Sequence, residues 1–249
     1  VRYFIEIAYN GTHYSGWQRQ PNALSVQEVI EEGLSRLLRT SISVVGAGRT
    51  DAGVHAKQLF AHFDVADIAE RDTLLFRLNS YLPKDIAVRN LLPVTNTAHA
   101  RFDALSRTYE YAIIVGKDPF LRGLAHQLYV EPSLEAMNEA AAALLEYNDF
   151  QCFSRSGTDV KTYHCNVELA VWQREGNKIT FTITANRFLR NMVRAVVGTL
   201  LDVGYGKTTM EEFHTILKSK DRTLAGASAP AHGLYLTEVT YPTSIFINP

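Results

Sequence analysis

Cysteine is nearly absent from this chain. Two in 249 residues, Cys152 and Cys165, are too few for a disulfide framework and point to a reducing compartment. No apolar run approaches the roughly 18 residues needed to cross a bilayer. The opening Val1-Arg2-Tyr3-Phe4-Ile5-Glu6 has no signal-peptide pattern and reads as a strand. Neither sign of charge dominates: 25 Lys and Arg stand against 26 Asp and Glu, a formal charge of −1. Residues 1–105 carry 11 basic and 11 acidic side chains, and 106–249 carry 14 and 15. That balance excludes a basic tail and argues against dispersed polyanion binding, while permitting a local basic groove. The eight histidines form no H-x-H, H-x-x-x-H or H-E-x-x-H pair, and neither Cys has a C-x-x-C partner, so a zinc deaminase is disfavoured. There is no G-x-S-x-G elbow and no G-x-G-x-x-G after a strand. These absences remove secreted, membrane and fibrous classes and leave a soluble, cytoplasmic globular protein, with the two Cys as buried apolar filler.

What is present is a core. With 46% hydrophobic and 20% charged residues, the chain can bury one large domain or two of ordinary size. Tyr3 to Tyr9 reads as a strand ended by Asn10-Gly11. Ser25-x-x-Glu28 reads as a capping box opening a helix with Val26, Val29, Ile30, Leu34, Leu37 and Leu38 on its apolar side. Strands are predicted at Ile42–Val45, Leu59–Phe63 and Ile86–Val94, with a helix over 70–80. The order β-α-β-β-α-β is that of a ferredoxin-like unit. The second half repeats it: a strand over Thr108–Val115, a helix capped by Ser133, a hairpin around Glu175-Gly176-Asn177, a helix from Phe188 to Val203 closed by Gly204, a short helix near Glu211–Lys218, and a last strand, Leu234–Tyr241. The reading is α+β, two tandem ferredoxin-like halves with antiparallel sheets, 1–104 and 105–249.

Four segments carry chemical potential, the last of them Ala229 to Leu236, a turn that feeds the final strand and is apt for lining a cleft. Gly46-Ala47-Gly48-Arg49-Thr50-Asp51-Ala52-Gly53 sets an Arg and an Asp two apart on a Gly-rich loop between strands. A surface ion pair on a tight connection is the bland reading, worth little energetically. The sharper one is a loop presenting one carboxylate beside one guanidinium, since a cation within ~4–6 Å keeps a carboxylate ionised, fit to act as nucleophile or electrostatic stabiliser. In Arg107-Thr108-Tyr109-Glu110-Tyr111, alternation puts both Tyr and the Arg on one strand face. That is ordinary packing, or a stacking platform for a nucleobase. Arg187, Arg190 and Arg194 are spaced i, i+3, i+7, hence on one helix face, which is a solvated face or an oxyanion-binding one.

Taken together, Gly48-Arg49-Thr50-Asp51-Ala52-Gly53-Val54-His55-Ala56 resembles the catalytic-loop signature of the TruA-type tRNA pseudouridine synthases. The resemblance extends over Tyr9 to Gln18, Ala100 to Ala104 with Arg107-Thr108-Tyr109, Met192-Val193-Arg194, and Ala229 to Leu236. It implies conversion of uridine to pseudouridine at positions 38 to 40 of the tRNA anticodon stem-loop, by a cofactor-free, metal-free homodimer built from two ferredoxin-like halves with a cleft between them. By the same resemblance Asp51 is the essential carboxylate and Arg49 helps hold the flipped nucleotide. Tyr109 packs on the target base, and Arg194 pairs with the aspartate. Whether the carboxylate attacks C6, attacks C1′ or acts through a glycal stays open. Loop 153–162 is read as the family's variable segment, able to tune which uridines are modified. Two rivals stand beside this reading: a non-catalytic RNA-binding module with ferredoxin-like sheets, and a small-molecule hydrolase using Asp51.

Overall fold

Tyr3, Phe4, Ile5 and Ile7 are almost wholly buried, so the first strand, β1 (Arg2–Tyr9), is covered on both faces. In the computed structural model, which describes residues 1–155, 157 and 160–247, β1 lies between two antiparallel neighbours. One is β3 (His55–Asp64), with Phe4 opposite His62; the other is β4 (Ile86–Val94), with Phe4 opposite Leu92. Helix α1 (Val26–Leu38), the short β2 (Val45–Gly46) and α2 (Arg71–Tyr81) complete the β-α-β-β-α-β series. The spatial order is β4-β1-β3, with β2 paired to β3.

Helix α1 starts where Ser25 Oγ accepts the Glu28 N–H at 3.2 Å and buries Val26, Ile30 and Leu34, one residue per turn on one face. Glu28 does not close the expected capping box but reaches Arg19 at 3.4 Å. The strand expected over Ile42–Val45 shrinks to Val45–Gly46 for a physical reason. Side chains of α1 take over its backbone: the Ile42 N–H donates to Ser35 Oγ and the Val44 N–H to the buried Glu31 carboxylate, 2.9 and 3.0 Å. Backbone groups satisfied by side chains need no partner strand.

The second unit contains β5 (Ser106–Val115), β6 (His126–Leu128), α3 (Leu134–Ala143), β7 (Val167–Glu175), β8 (Lys178–Ala185), α4 (Met192–Gly204) and α5 (Met210–Ser219). Strand β5 pairs antiparallel with β8, setting Tyr109 opposite Ile183, and β8 with β7, setting Trp172 opposite Phe181. The short β6 runs parallel to β5; at three residues it is too brief for periodicity to reveal. Helix α4 begins at Met192, not Phe188, because Asn191 adopts the left-handed conformation (φ 65°). Arg187 and Arg190 therefore precede the helix, and of the three only Arg194 lies on it.

The chain groups into two compact units, Val1–Leu105 with Leu236–Pro249, and Ser106–Tyr235. The last strand, β9 (Leu234–Thr240), thus carries the chain back into the first unit, whereas the sequence pattern alone assigns it to the second half. Several contacts hold it there. The Val239 N–H donates to Gln58 Oε1 at 2.9 Å and the Tyr241 hydroxyl to the Ala100 carbonyl at 2.6 Å. The Tyr241 ring packs edge-on against Phe4 and Phe60 at 5.1 and 5.4 Å. The fold is α+β and mostly antiparallel: β1 with β3 and β4, β2 with β3, and β8 with β5 and β7 all pair antiparallel, and β6 runs parallel to β5. Among the described residues, no helix is long and apolar enough to cross a membrane.

Candidate active site

In the first unit the Gly-rich segment leaves β2 and enters β3, and it is pinned at four points. The Ala47 N–H donates to the Phe60 carbonyl at 2.7 Å and the Trp17 N–H to the Thr50 carbonyl at 3.3 Å. The buried Thr50 hydroxyl lies 2.8 Å from the Tyr9 hydroxyl. The Gly53 N–H donates to the Tyr14 carbonyl at 3.3 Å. A turn then closes with the Val54 N–H on the Asp51 carbonyl at 3.1 Å, and Gly53 within it has φ 77°, a conformation that costs glycine nothing. At Gly46 the requirement is steric: a Cβ there would stand 2.4 Å from Trp17 Nε1. With Thr50 buried as the anchor, its neighbours Arg49 and Asp51 are exposed and half-buried respectively. Among the described residues Arg49 makes no hydrogen bond or ion pair, so the surface pair with Asp51 that the spacing permits is not formed.

The two buried histidines of this unit serve the backbone. His55, almost fully buried, accepts the Gly11 N–H on Nδ1 at 3.0 Å, and His62 Nδ1 accepts the Ala100 N–H at 3.1 Å. Burial, aided by the charge of Arg2, lowers His62 to about 4. Among the described residues no group of three or more His, Cys, Asp or Glu could hold a metal ion. In the second unit Cys152 and Cys165 are buried, and desolvation pushes their thiols up to about 12 and about 11, which leaves them unreactive filler.

The second unit supplies the remaining candidates. Tyr109 on β5 is half-buried, its ring edge-on to Phe188 at 5.1 Å and 87°. Tyr111, two residues on, is fully buried and donates its hydroxyl to the Pro230 carbonyl at 2.9 Å. It belongs to the core, so the stacking platform expected of both tyrosines reduces to Tyr109. Arg107 is tied to the Asn186 carbonyl at 2.9 Å. Arg194, in the first turn of α4, is half-buried. Its Nε–H donates to the Ala229 carbonyl at 2.7 Å, while its own carbonyl accepts the Ala229 N–H at 2.9 Å. With Nε committed, the guanidinium meets any anionic group through its terminal nitrogens.

A family model described as tRNA pseudouridine synthase matches residues 6–103 and 140–242. The chain belongs to that family. Proteins named tRNA pseudouridine synthase A agree with it from end to end. The one from Porphyromonas gingivalis is 53% identical, over 99% of this chain and 100% of its own. That from Parabacteroides distasonis is 52% identical over 98% of both, and that from Shewanella amazonensis 40% over 98% and 94%.

Within this tRNA pseudouridine synthase family member, the structure supplies a reason for the opening motif Tyr9 to Gln18 that sequence reasoning could not. Tyr9, Tyr14 and Trp17 are the residues that pin the loop bearing Arg49 and Asp51. Sequence reasoning also missed the part played by Ala229. Its side chain carries no chemistry, and its role, two backbone bonds to Arg194, leaves no mark on residue type. Of the variable segment 153–162, Ser156, Thr158 and Asp159 lie outside the described residues.

Proposed function

We propose that this chain isomerises uridine to pseudouridine in tRNA, acting at positions 38 to 40 of the anticodon stem-loop with Asp51 as the essential carboxylate. Membership of the family across nearly the whole chain supports the reaction. The observation that carries the assignment of Asp51 is its mounting: a half-buried carboxylate held between the buried Thr50 and the Gly53 turn. A reacting group must be held by a rigid support, because small misplacements cost rate steeply.

The chemistry of the reaction supports a role for each remaining residue. The N1–C1′ glycosidic bond breaks, the detached uracil turns, and C5 bonds to C1′; the C5 proton is lost and N1 gains one, so composition is unchanged. The target nucleotide must leave the stack at a cost of a few kcal/mol. Arg49, exposed and without a partner among the described residues, serves to hold the extruded nucleotide through phosphate or stacking contacts. Tyr109 confines the detached base. Arg194 supplies the cation that balances the carboxylate. No cofactor is required. We assign the active form to a homodimer in the cytoplasm; sedimentation of the purified protein at micromolar concentration tests the dimer.

The deciding experiment is tritium release from tRNA labelled at uridine C5, comparing wild type with Asp51→Asn. Wild type should release label mapping to the anticodon arm. The variant should fall below one percent of that rate, with tRNA affinity within about tenfold, because affinity rests mainly on phosphate contacts. Retained turnover would sink the assignment of Asp51. Binding without release by wild type would leave the non-catalytic RNA-binding module, and turnover of free uridine would favour a small-molecule enzyme.

A further inference from the structure

We infer that Arg222 is a positioning residue of this enzyme, acting through the segment 225–229 on Arg194. The inference rests on the reading of Arg194 given above and adds to it the device that aims the guanidinium.

Arg222 spends its donors on one short stretch of backbone. Nη1 donates to the carbonyls of Ala225 and Gly226 at 3.2 and 3.1 Å, and Nη2 to Ser228 Oγ at 3.0 Å. The same Ser228 hydroxyl accepts Asn191 Nδ2–H at 2.6 Å, and Asn191 is the left-handed residue that starts α4. The Gly226 N–H donates to Thr199 Oγ1 at 2.9 Å. At Gly198 a Cβ would stand 1.7 Å from the Ala227 carbonyl oxygen, so the segment lies directly on the helix surface. It delivers Ala229, whose carbonyl takes the Arg194 Nε–H and whose N–H reaches the Arg194 carbonyl.

An arginine side chain carries about 2 kcal/mol of rotamer entropy, and its fork is useful only when its plane is fixed. The Ala229 carbonyl fixes that plane through Nε. The carbonyl is held by the Ala229 N–H on the Arg194 carbonyl and by the placement of residues 225–228, which form no part of a helix or strand. Three donor bonds from a guanidinium to one irregular stretch are the means available for making a loop as rigid as the helix it serves. Arg222 is half-buried and its bonds run to the segment itself. Its chemistry thus points to the loop, with Arg194 at the loop's end.

The test is a double-mutant cycle of Arg222→Gln and Arg194→Gln, read as single-turnover rate and tRNA dissociation constant. Arg222→Gln should slow turnover about 10- to 100-fold while the dissociation constant moves less than about threefold. In the Arg194→Gln background it should cost less than about threefold more, because a guanidinium already absent cannot be misaimed. Additive losses, a wild-type rate in Arg222→Gln, or a loss confined to affinity would each overturn the inference. If Arg194→Gln alone turns over at the wild-type rate, the reading of Arg194 fails, a result distinct from a slow Arg194→Gln beside a fast Arg222→Gln. Should Arg222→Gln not fold, Ser228→Ala replaces it in the cycle. It removes one contact from Arg222 and one from Asn191, with an expected loss of about 3- to 10-fold and the same non-additivity.

Discussion

The hydroxyl groups of Tyr9 and Thr50 lie 2.8 Å apart in the buried interior of the first unit, tying the end of β1 to the loop that carries Asp51. Tyr9→Phe leaves the Thr50 hydroxyl without that partner. Stranding a buried polar group costs about 1–3 kcal/mol. The expected outcome is a lower Tm and a single-turnover rate reduced severalfold, with tRNA affinity unchanged. Wild-type rate and stability together would show that the pin is dispensable.

The loop glycines should separate in a substitution series. Gly46→Ala places a methyl group 2.4 Å from Trp17 Nε1, an overlap with a rigid indole that costs typically 1–3 kcal/mol. Gly48→Ala places one where no atom lies within 4 Å, and φ there is not positive. Thermal denaturation should show a clear drop for the first and a shift within about 2 °C for the second.

Stability should decline on mild acidification, in part through His62. Burial, aided by Arg2, lowers its pKa to about 4, and its Nδ1 is occupied as an acceptor for the Ala100 N–H. Between pH 6.5 and 4 the unfolded chain binds a proton there that the folded chain refuses. Stability from this group is therefore full above about 6.5 and is lost as pH falls toward 4. At 1.36 kcal/mol per unit, and allowing for partial access of solvent, the loss is roughly 1–3 kcal/mol. Urea denaturation of wild type and His62→Gln across this range should give a shallower slope for the variant. Parallel slopes would refute the assignment.

Trp172 is 2% exposed, and its Nε1–H has no hydrogen-bond partner among the described residues. Its ring lies 4.7 Å from that of Phe181, tilted by 30°, opposite it on β8. Trp172→Phe loses ring volume but also removes the orphaned donor, so the two effects offset to within about 1 kcal/mol. Trp172→Ala should cost about 3–5 kcal/mol. A chemical denaturation series on the two variants checks both.

Periodicity made the regular elements legible. Ser25 and Ser133 cap their helices as read, and the Glu175-Gly176-Asn177 turn closes the hairpin as read. It failed where side chains replace regular backbone pairing, as Ser35 and Glu31 do for Ile42 and Val44. It failed also at Asn191, whose left-handed backbone delays α4 while the apolar spacing runs on unbroken. For the site, Arg49 and Asp51 announced themselves by type and spacing. Thr50 as anchor and Ala229 as clasp did not, because one acts inward through a hydroxyl and the other through its main chain.

The first unit is assembled from two stretches of chain, with residues 106–235 inserted between them. During synthesis the inserted unit is therefore complete before the ring of Tyr241 exists to cover Phe4 and Phe60. The part that bears Asp51 begins to form first and is the last to be finished. A chain ended at Tyr235 should hold a protected second unit and a first unit still open to protease, and restoring residues 236–249 should close it.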